Sequence, residues 1–161
     1  MKKNNGITII SLVITIIVLL IIAGISINGG KEAITKAQLE EIRTNMLLIQ
    51  AKAREYVETA NFKMGINPTE EKKLAVRQEI YEGEAKLQKA TGTTLPSGIN
   101  MSDDLYKVTN ETLQEWGLSK IQTKADEVYL IEFDDTNATV EIYNTKGYKG
   151  KYSLTQIDKM E

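Results

Sequence analysis

Hydrophobic positions follow three different patterns along the 161-residue chain. From Ile7 to Ile27 the sequence ITIISLVITIIVLLIIAGISI shows no period, because nearly every position is apolar. Sixteen of these 21 residues are aliphatic or Ala, and the others are Thr8, Ser11, Thr15, Gly24 and Ser26. From Lys31 to about Ala60 a helical period takes over. Leu39, Ile42, Met46, Ile49, Ala53, Tyr56 and Ala60 are spaced three and four apart and form one face. Leu47, Leu48 and Val57 broaden it, and Lys52, Arg54, Glu55 and Glu58 mark the wet side. Near the C-terminus the period falls to two, with Val128–Phe133 as an apolar strand, Asp134-Asp135-Thr136-Asn137 as a turn, and Thr139–Tyr143 alternating cleanly. A third strand is expected around Lys151–Leu154, after a turn at Gly147 and Gly150.

Shorter elements fill the middle. Asn67-Pro68-Thr69-Glu70 predicts a helix start, with Asn67 as cap, Pro68 in the first position and Glu70 three residues after the cap. This helix should run to about Ala90, with Leu74, Ile80, Tyr81 and Leu87 inward and Gly83 as a weak point. Residues 91–98 read as a loop, and Thr109 should cap a short helix stopped by Gly117. Three or so antiparallel strands over an amphipathic helix define a small α+β head. If Gly29 and Gly30 only bend the chain, residues 7–60 form one rod of about 80 Å. A parallel coiled coil over 31–60 is the alternative.

The first pattern points to a membrane. A 21-residue helix covers about 31 Å, the thickness of a hydrocarbon core. Of the 20 Lys and Arg and 22 Asp and Glu residues, only Lys2 and Lys3 precede Lys31. The positive-inside tendency then places the N-terminus in the cytoplasm and residues 31–161 outside. One reading is an uncleaved anchor. Another is a secretory signal cut before Ile27, at Gly24-Ile25-Ser26. Thr8, Ser11, Thr15 and Ser26 fall on one helix face, as a stripe for helix–helix packing or as hydroxyls bonded to their own preceding turn.

Composition narrows the chemistry. Cysteine and histidine are both absent, which removes disulfides, thiolate nucleophiles, imidazole acid–base catalysis and the commonest zinc ligands. No phosphate loop, dinucleotide fingerprint or nucleophile elbow is present, so an enzyme is not expected, and no cofactor is called for. A net charge of −2 argues against nucleic acid as the main partner, and Lys146, Lys149 and Lys151 beside Tyr148 and Tyr152 read as a soluble strand edge. The candidates for calcium are Asp134, Asp135 and Asn137, with Asp103-Asp104 a second acidic pair. Asp and Asn are equally the default residues of turns.

The basic leader Met-Lys-Lys-Asn-Asn ends at Gly6, and an uncharged helix follows at once as Ile7-Thr8-Ile9-Ile10-Ser11-Leu12. This resembles the N-terminus of type IV prepilins and the related pseudopilins. The resemblance implies cleavage between Gly6 and Ile7 by a prepilin peptidase, and methylation of the new amino terminus at Ile7. Ile7 stands where phenylalanine is usual. Ser11 stands at the fifth mature position, where most major pilins carry a glutamate that sets filament register. By this resemblance residues 1–6 are a leader, 7–28 a transmembrane and filament-core helix, 31–60 its amphipathic continuation and 61–161 a globular head. The long helix packed on a small antiparallel sheet is then pilin-like. The implied function is that of a filament subunit, a pilin, minor pilin or pseudopilin. Its implied partners are other pilin-like subunits, the peptidase, an assembly-platform membrane protein and the bilayer. A membrane-anchored or secreted binding module with no filament role is the competing class.

Overall fold

The computed structural model describes residues 7–160, with side-chain surroundings for 14–20 and 35–160. The chain divides into two compact units, Met1–Glu40 and Glu41–Glu161, so the division falls beyond Gly29-Gly30 and inside a helix. That helix, α1 (Ile7–Met64), has 58 residues and contains both glycines. The amphipathic stretch extends to Met64, past the expected end at Ala60.

In the second unit α1 buries Ile42, Met46, Ile49, Ala53, Val57, Ala60 and Met64. Val57 takes the inward position that the spacing assigned to Tyr56. Tyr56 instead lies at the edge of the stripe, stacked on Trp116 with ring centroids 5.5 Å apart. Leu47 and Leu48 do not broaden the buried face; both stay more than 40% exposed.

The sheet is larger than the sequence predicts. Five strands run as an antiparallel meander, β1 (Gln88–Lys89), β2 (Leu105–Val108), β3 (Tyr129–Asp134), β4 (Thr139–Tyr148) and β5 (Lys151–Ser153). Register puts Tyr106, Ile131 and Ile142 in one cross-strand row and Val108, Tyr129 and Asn144 in the next. Because side chains alternate across a strand, these rows share one face. That face meets α1: Asn45 donates to the Tyr129 hydroxyl at 3.2 Å and Gln50 to the Val140 carbonyl at 3.4 Å. The opposite face carries Leu105, Leu130 and Tyr143 and is covered by Ala90, Leu95 and Ile99 from the segment after β1. The outermost strands are only two and three residues long.

Between α1 and the sheet, α2 (Glu70–Arg77) is capped by Thr69, whose hydroxyl accepts from the Lys72 amide at 3.2 Å. The expected cap Asn67 adopts a left-handed φ of 54° one residue before Pro68. From Gln78 to Glu84 the helix widens into a π-helix. Val76, the adjacent pair Ile80 and Tyr81, and Ala85 are buried, one inward position every four to five residues, which exceeds the α-helical repeat of about 3.6 and suits wider turns. Leu74 points outward, and Lys86 (φ 57°) ends the segment. The α3 helix (Asn110–Glu115) forms as predicted, with Thr109 capping and Gly117 at φ 72°. Ser153 ends β5 and, with Gln156, forms a reciprocal cap for α4 (Leu154–Ile157), which takes Leu154 out of the strand. Arg43 then donates to the carbonyls of Ile157 and Met160, at 3.1 and 2.6 Å, holding the C-terminal segment on α1.

Ala138 lies in the β3–β4 turn with φ 52°, a region that costs an L side chain about 1 kcal/mol or more. Ala138→Gly should raise stability by about 1 kcal/mol, read as a thermal midpoint a few degrees higher. An unchanged or lower midpoint would show that the turn carries no such strain.

Candidate functional site

Residues 14–20 are the described part of the apolar N-terminal stretch. Ile14, Ile16, Ile17, Val18, Leu19 and Leu20 are each between 46 and 68% exposed. Seven consecutive positions at about 100° each sweep the whole helix circumference, so this band is bare on every side. Thr15, from the hydroxyl stripe, is among them. Gly6 lies outside the described residues, as do the side chains of Ile7, Thr8, Ser11 and Ser26. Among the described residues no helix is long and apolar enough to cross a membrane. The expected span, 7–28, falls largely on positions whose side chains are not described.

In the second unit, Asp134 and Asp135 meet different partners. The Asp134 carboxylate folds back on its own turn, accepting from the amides of Thr136 and Asn137 at 3.0 and 3.1 Å and from the Asn137 side chain at 2.6 Å. These bonds, the Asn137 side chain's first among them, hold its pKa below the usual carboxylate range. Asp135 faces the other way. Its carboxylate accepts from Arg77 Nε at 2.6 Å and from the Tyr81 hydroxyl, while its backbone carbonyl accepts from Asn61 Nδ2 at 2.7 Å. Arg77 also pairs with Asp104 at 2.8 Å. The proposed calcium ligands are therefore divided between a turn cap and an ion-pair node. Among the described residues no group of three or more acidic side chains is placed to hold a metal ion. Asp103 contributes its backbone carbonyl, which accepts from the Lys89 ammonium.

The node is an aromatic site as much as an ionic one. Tyr81 stacks on Phe133 with centroids 3.8 Å apart, and Tyr106 meets both rings edge-on. Burial, followed by the hydrogen bond and charge of Asp135, pushes the Tyr81 phenol far above its ordinary range. Burial does the same to Tyr106 and to Tyr143, whose hydroxyl donates to Glu132 at 2.8 Å. Burial also raises the Asp104 carboxyl, with Arg77 opposing it. Arg77, Tyr81 and Asn61 were not singled out by motif. A half-buried cation opposite the acidic turn is set by tertiary placement, and only the acidic half is visible in local sequence.

The lysine hairpin is dispersed. Lys146 lies 3.6 Å from Glu127, Lys149 sits over the Tyr148 ring at 5.3 Å, and Lys151 is exposed. Lys149 and Gly150 both take positive φ, 48° and 74°, the combination that a two-residue primed turn requires. Comparison of the chain with protein-family models, curated proteins and solved structures returned no match.

Asp135→Asn should cost about 2–3 kcal/mol in denaturant unfolding, since it leaves Arg77, with a side chain only 20% exposed, without its full charge partner. A loss below about 0.5 kcal/mol, the level of ordinary surface substitutions, would remove the node from the interactions that matter. A second expectation concerns alkaline pH. Tyr81, Tyr106, Tyr129 and Tyr143 have folded-state values above the unfolded value of about 10. The folded state thus keeps protons that the unfolded state releases. Their contribution is complete below about pH 10 and drains as pH rises further. Ultraviolet difference titration should show these phenols ionising only together with unfolding; free ionisation near pH 10 in the folded protein would contradict the burial.

Proposed function

We propose that the chain is a structural subunit of a type IV pilus-like or type II secretion-like filament. In this reading it is a single-pass membrane precursor with its N-terminus inside and its head outside, and it is cut after Gly6. The observation that carries the reading is the band from Ile14 to Leu20, six large aliphatic side chains exposed around a full helix circumference. A helix that is apolar on all sides has to be surrounded by lipid or by other apolar helices. A filament subunit uses both environments in turn, lipid before assembly and neighbouring copies of the helix after it.

Three further features support it. The uncharged run from Asn4 to Gly30 follows directly on Lys2 and Lys3, with Gly6 at the leader boundary. The second unit is α+β, with a five-stranded antiparallel sheet, and its α1 segment presents one buried face. No cluster of acid–base or nucleophilic groups was recognised by motif, so the work assigned to the molecule is mechanical. Gly6 and Ile7 are then the residues read by the peptidase, with Ile7 methylated. Ser11 occupies the register position without a carboxylate to neutralise a neighbour's amino terminus, which favours a minor pilin or pseudopilin over a major one. An assembly-platform membrane protein and other pilin-like subunits are the partners this role requires.

Mass spectrometry of the mature N-terminus, from cells holding the matching peptidase, tests the reading. A start at Ile7 with a methylated amine is expected, and Gly6→Val should abolish processing. A start at Met1 would instead identify a plain anchor, and one near Ile27 a secreted domain.

A further inference from the structure

Two polar recesses in the second unit have opposite characters. The groove beside Asp135 is lined by Gln50, Arg77, Asp104, Glu132 and Glu141 among others. Nearly all of its polar side chains are spent within the chain. Gln50 is bonded to Val140, Arg77 to both aspartates, Glu132 to Ser102 and Tyr143, and Glu141 to Thr155. Little is left there for a ligand.

A cavity of about 690 Å³ on the opposite face of the sheet differs. The loop Thr91–Pro96 forms one wall, Ala125 and Asp126 another, and Lys107, Val128 and Thr145 the floor. The side chains of Gln88, Thr91, Thr93, Thr94, Lys107 and Asp126 make no hydrogen bond or ion pair to any of the described residues. Three hydroxyls, an amide, an ammonium and a carboxylate thus converge uncommitted on one recess. Lys89, at its rim, is already engaged by the Asp103 carbonyl and the Tyr106 ring, which leaves Lys107 as the available cation.

The walls are held in place. The Thr93 amide donates to the Ala90 carbonyl at 2.9 Å and the Ile99 amide to the Pro96 carbonyl at 3.0 Å. Gly92 supplies the φ of 78° that the tight turn needs. Beneath the loop, Ala90, Ile99, Leu105, Val128 and Leu130 form one buried cluster, with Leu95 packed against it. Binding therefore requires little ordering of the site, which favours affinity.

We infer that this cleft binds an acidic saccharide. Threonine hydroxyls and the Gln88 amide both donate and accept, as ring hydroxyls demand. Asp126 can accept from two adjacent hydroxyls, and Lys107 meets the saccharide's carboxylate in a charge-assisted bond. Val128, Leu95 and Pro96 offer an apolar surface to the C–H face of a sugar ring. The volume lies in the ordinary range for small-ligand sites, about 300–1,000 Å³. With no aromatic ring among the lining residues, affinity should be in the millimolar range.

The test is an amide-shift titration of the isotope-labelled full chain in detergent micelles with a hyaluronan tetrasaccharide, alternating glucuronate and N-acetylglucosamine. A neutral N-acetylglucosamine tetramer serves as comparator. Saturable shifts confined to residues 91–95, Lys107, Asp126 and Thr145 are expected with the acidic ligand. Lys107→Met should weaken binding roughly tenfold or more, and Asp126→Asn, at an exposed position, should weaken it while leaving the spectrum dispersed. Absence of shifts at high millimolar ligand, shifts centred elsewhere, or equal shifts with the neutral tetramer would each overturn the assignment. So would binding unaffected by both substitutions.

Discussion

Three elements of the second unit meet at one aspartate, Asp135. Asp135 belongs to the turn between β3 and β4, yet it accepts from Arg77 on α2 and from Tyr81 on the π-helical segment, while its carbonyl accepts from Asn61 on α1. With a side chain 7% exposed, it is a charge that folding must pair or exclude. The π-helix follows from this. Tyr81 has to reach Asp135 and stack on Phe133 while Ile80, its neighbour in sequence, is buried as well. An α-helical repeat would carry Val76 and Ala85, nine positions apart, to opposite sides of this pair, whereas wider turns keep all four buried residues together.

Around that node the sheet is held by two coverings of different kinds. One face takes the apolar stripe of α1, buried from Ile42 to Met64, with hydrogen bonds from Asn45 to Tyr129 on β3 and from Gln50 to Val140 on β4. The other takes an irregular segment after β1, packed through Ala90, Leu95 and Ile99. A helix covers a face with side chains only. The loop also brings a glycine turn and three threonines whose hydroxyls make no bond to the described residues, whereas the recess beside α1 is lined mostly by polar groups already bonded within the chain.

What local sequence reveals here depends on the range of the interactions. The cap at Thr109 and the stop at Gly117 are short-range signals and appear as expected, as does the stripe on α1 except at Tyr56, Leu47 and Leu48. The strand Leu105–Val108 was missed because four residues with one lysine give almost no period, although its burial is nearly complete. The cap of α4 was readable as Ser153 with Gln156 three residues on, but a helix of four residues carries no stripe to draw attention to it. Asn67 has the right chemistry for a cap, yet Thr69 does the work, since the chain passes through a left-handed turn at Asn67 and re-enters after Pro68. The two aspartates among the calcium candidates, Asp134 and Asp135, are adjacent in sequence, which concealed that their carboxylates meet different partners. Arg77 and Tyr81 join them through contacts more than fifty residues apart, where no spacing rule applies.

The brevity of the outermost strands has a consequence for how copies tolerate one another. A sheet grows by lending the unpaired amides and carbonyls of its border to a newcomer, and the benefit scales with border length. Here β1 offers two residues and β5 three, and on the β5 side Asn144 turns its side chain to the amides of Lys146 and Gly147. Molecules with such borders can be crowded without fusing their sheets into cross-β ribbons.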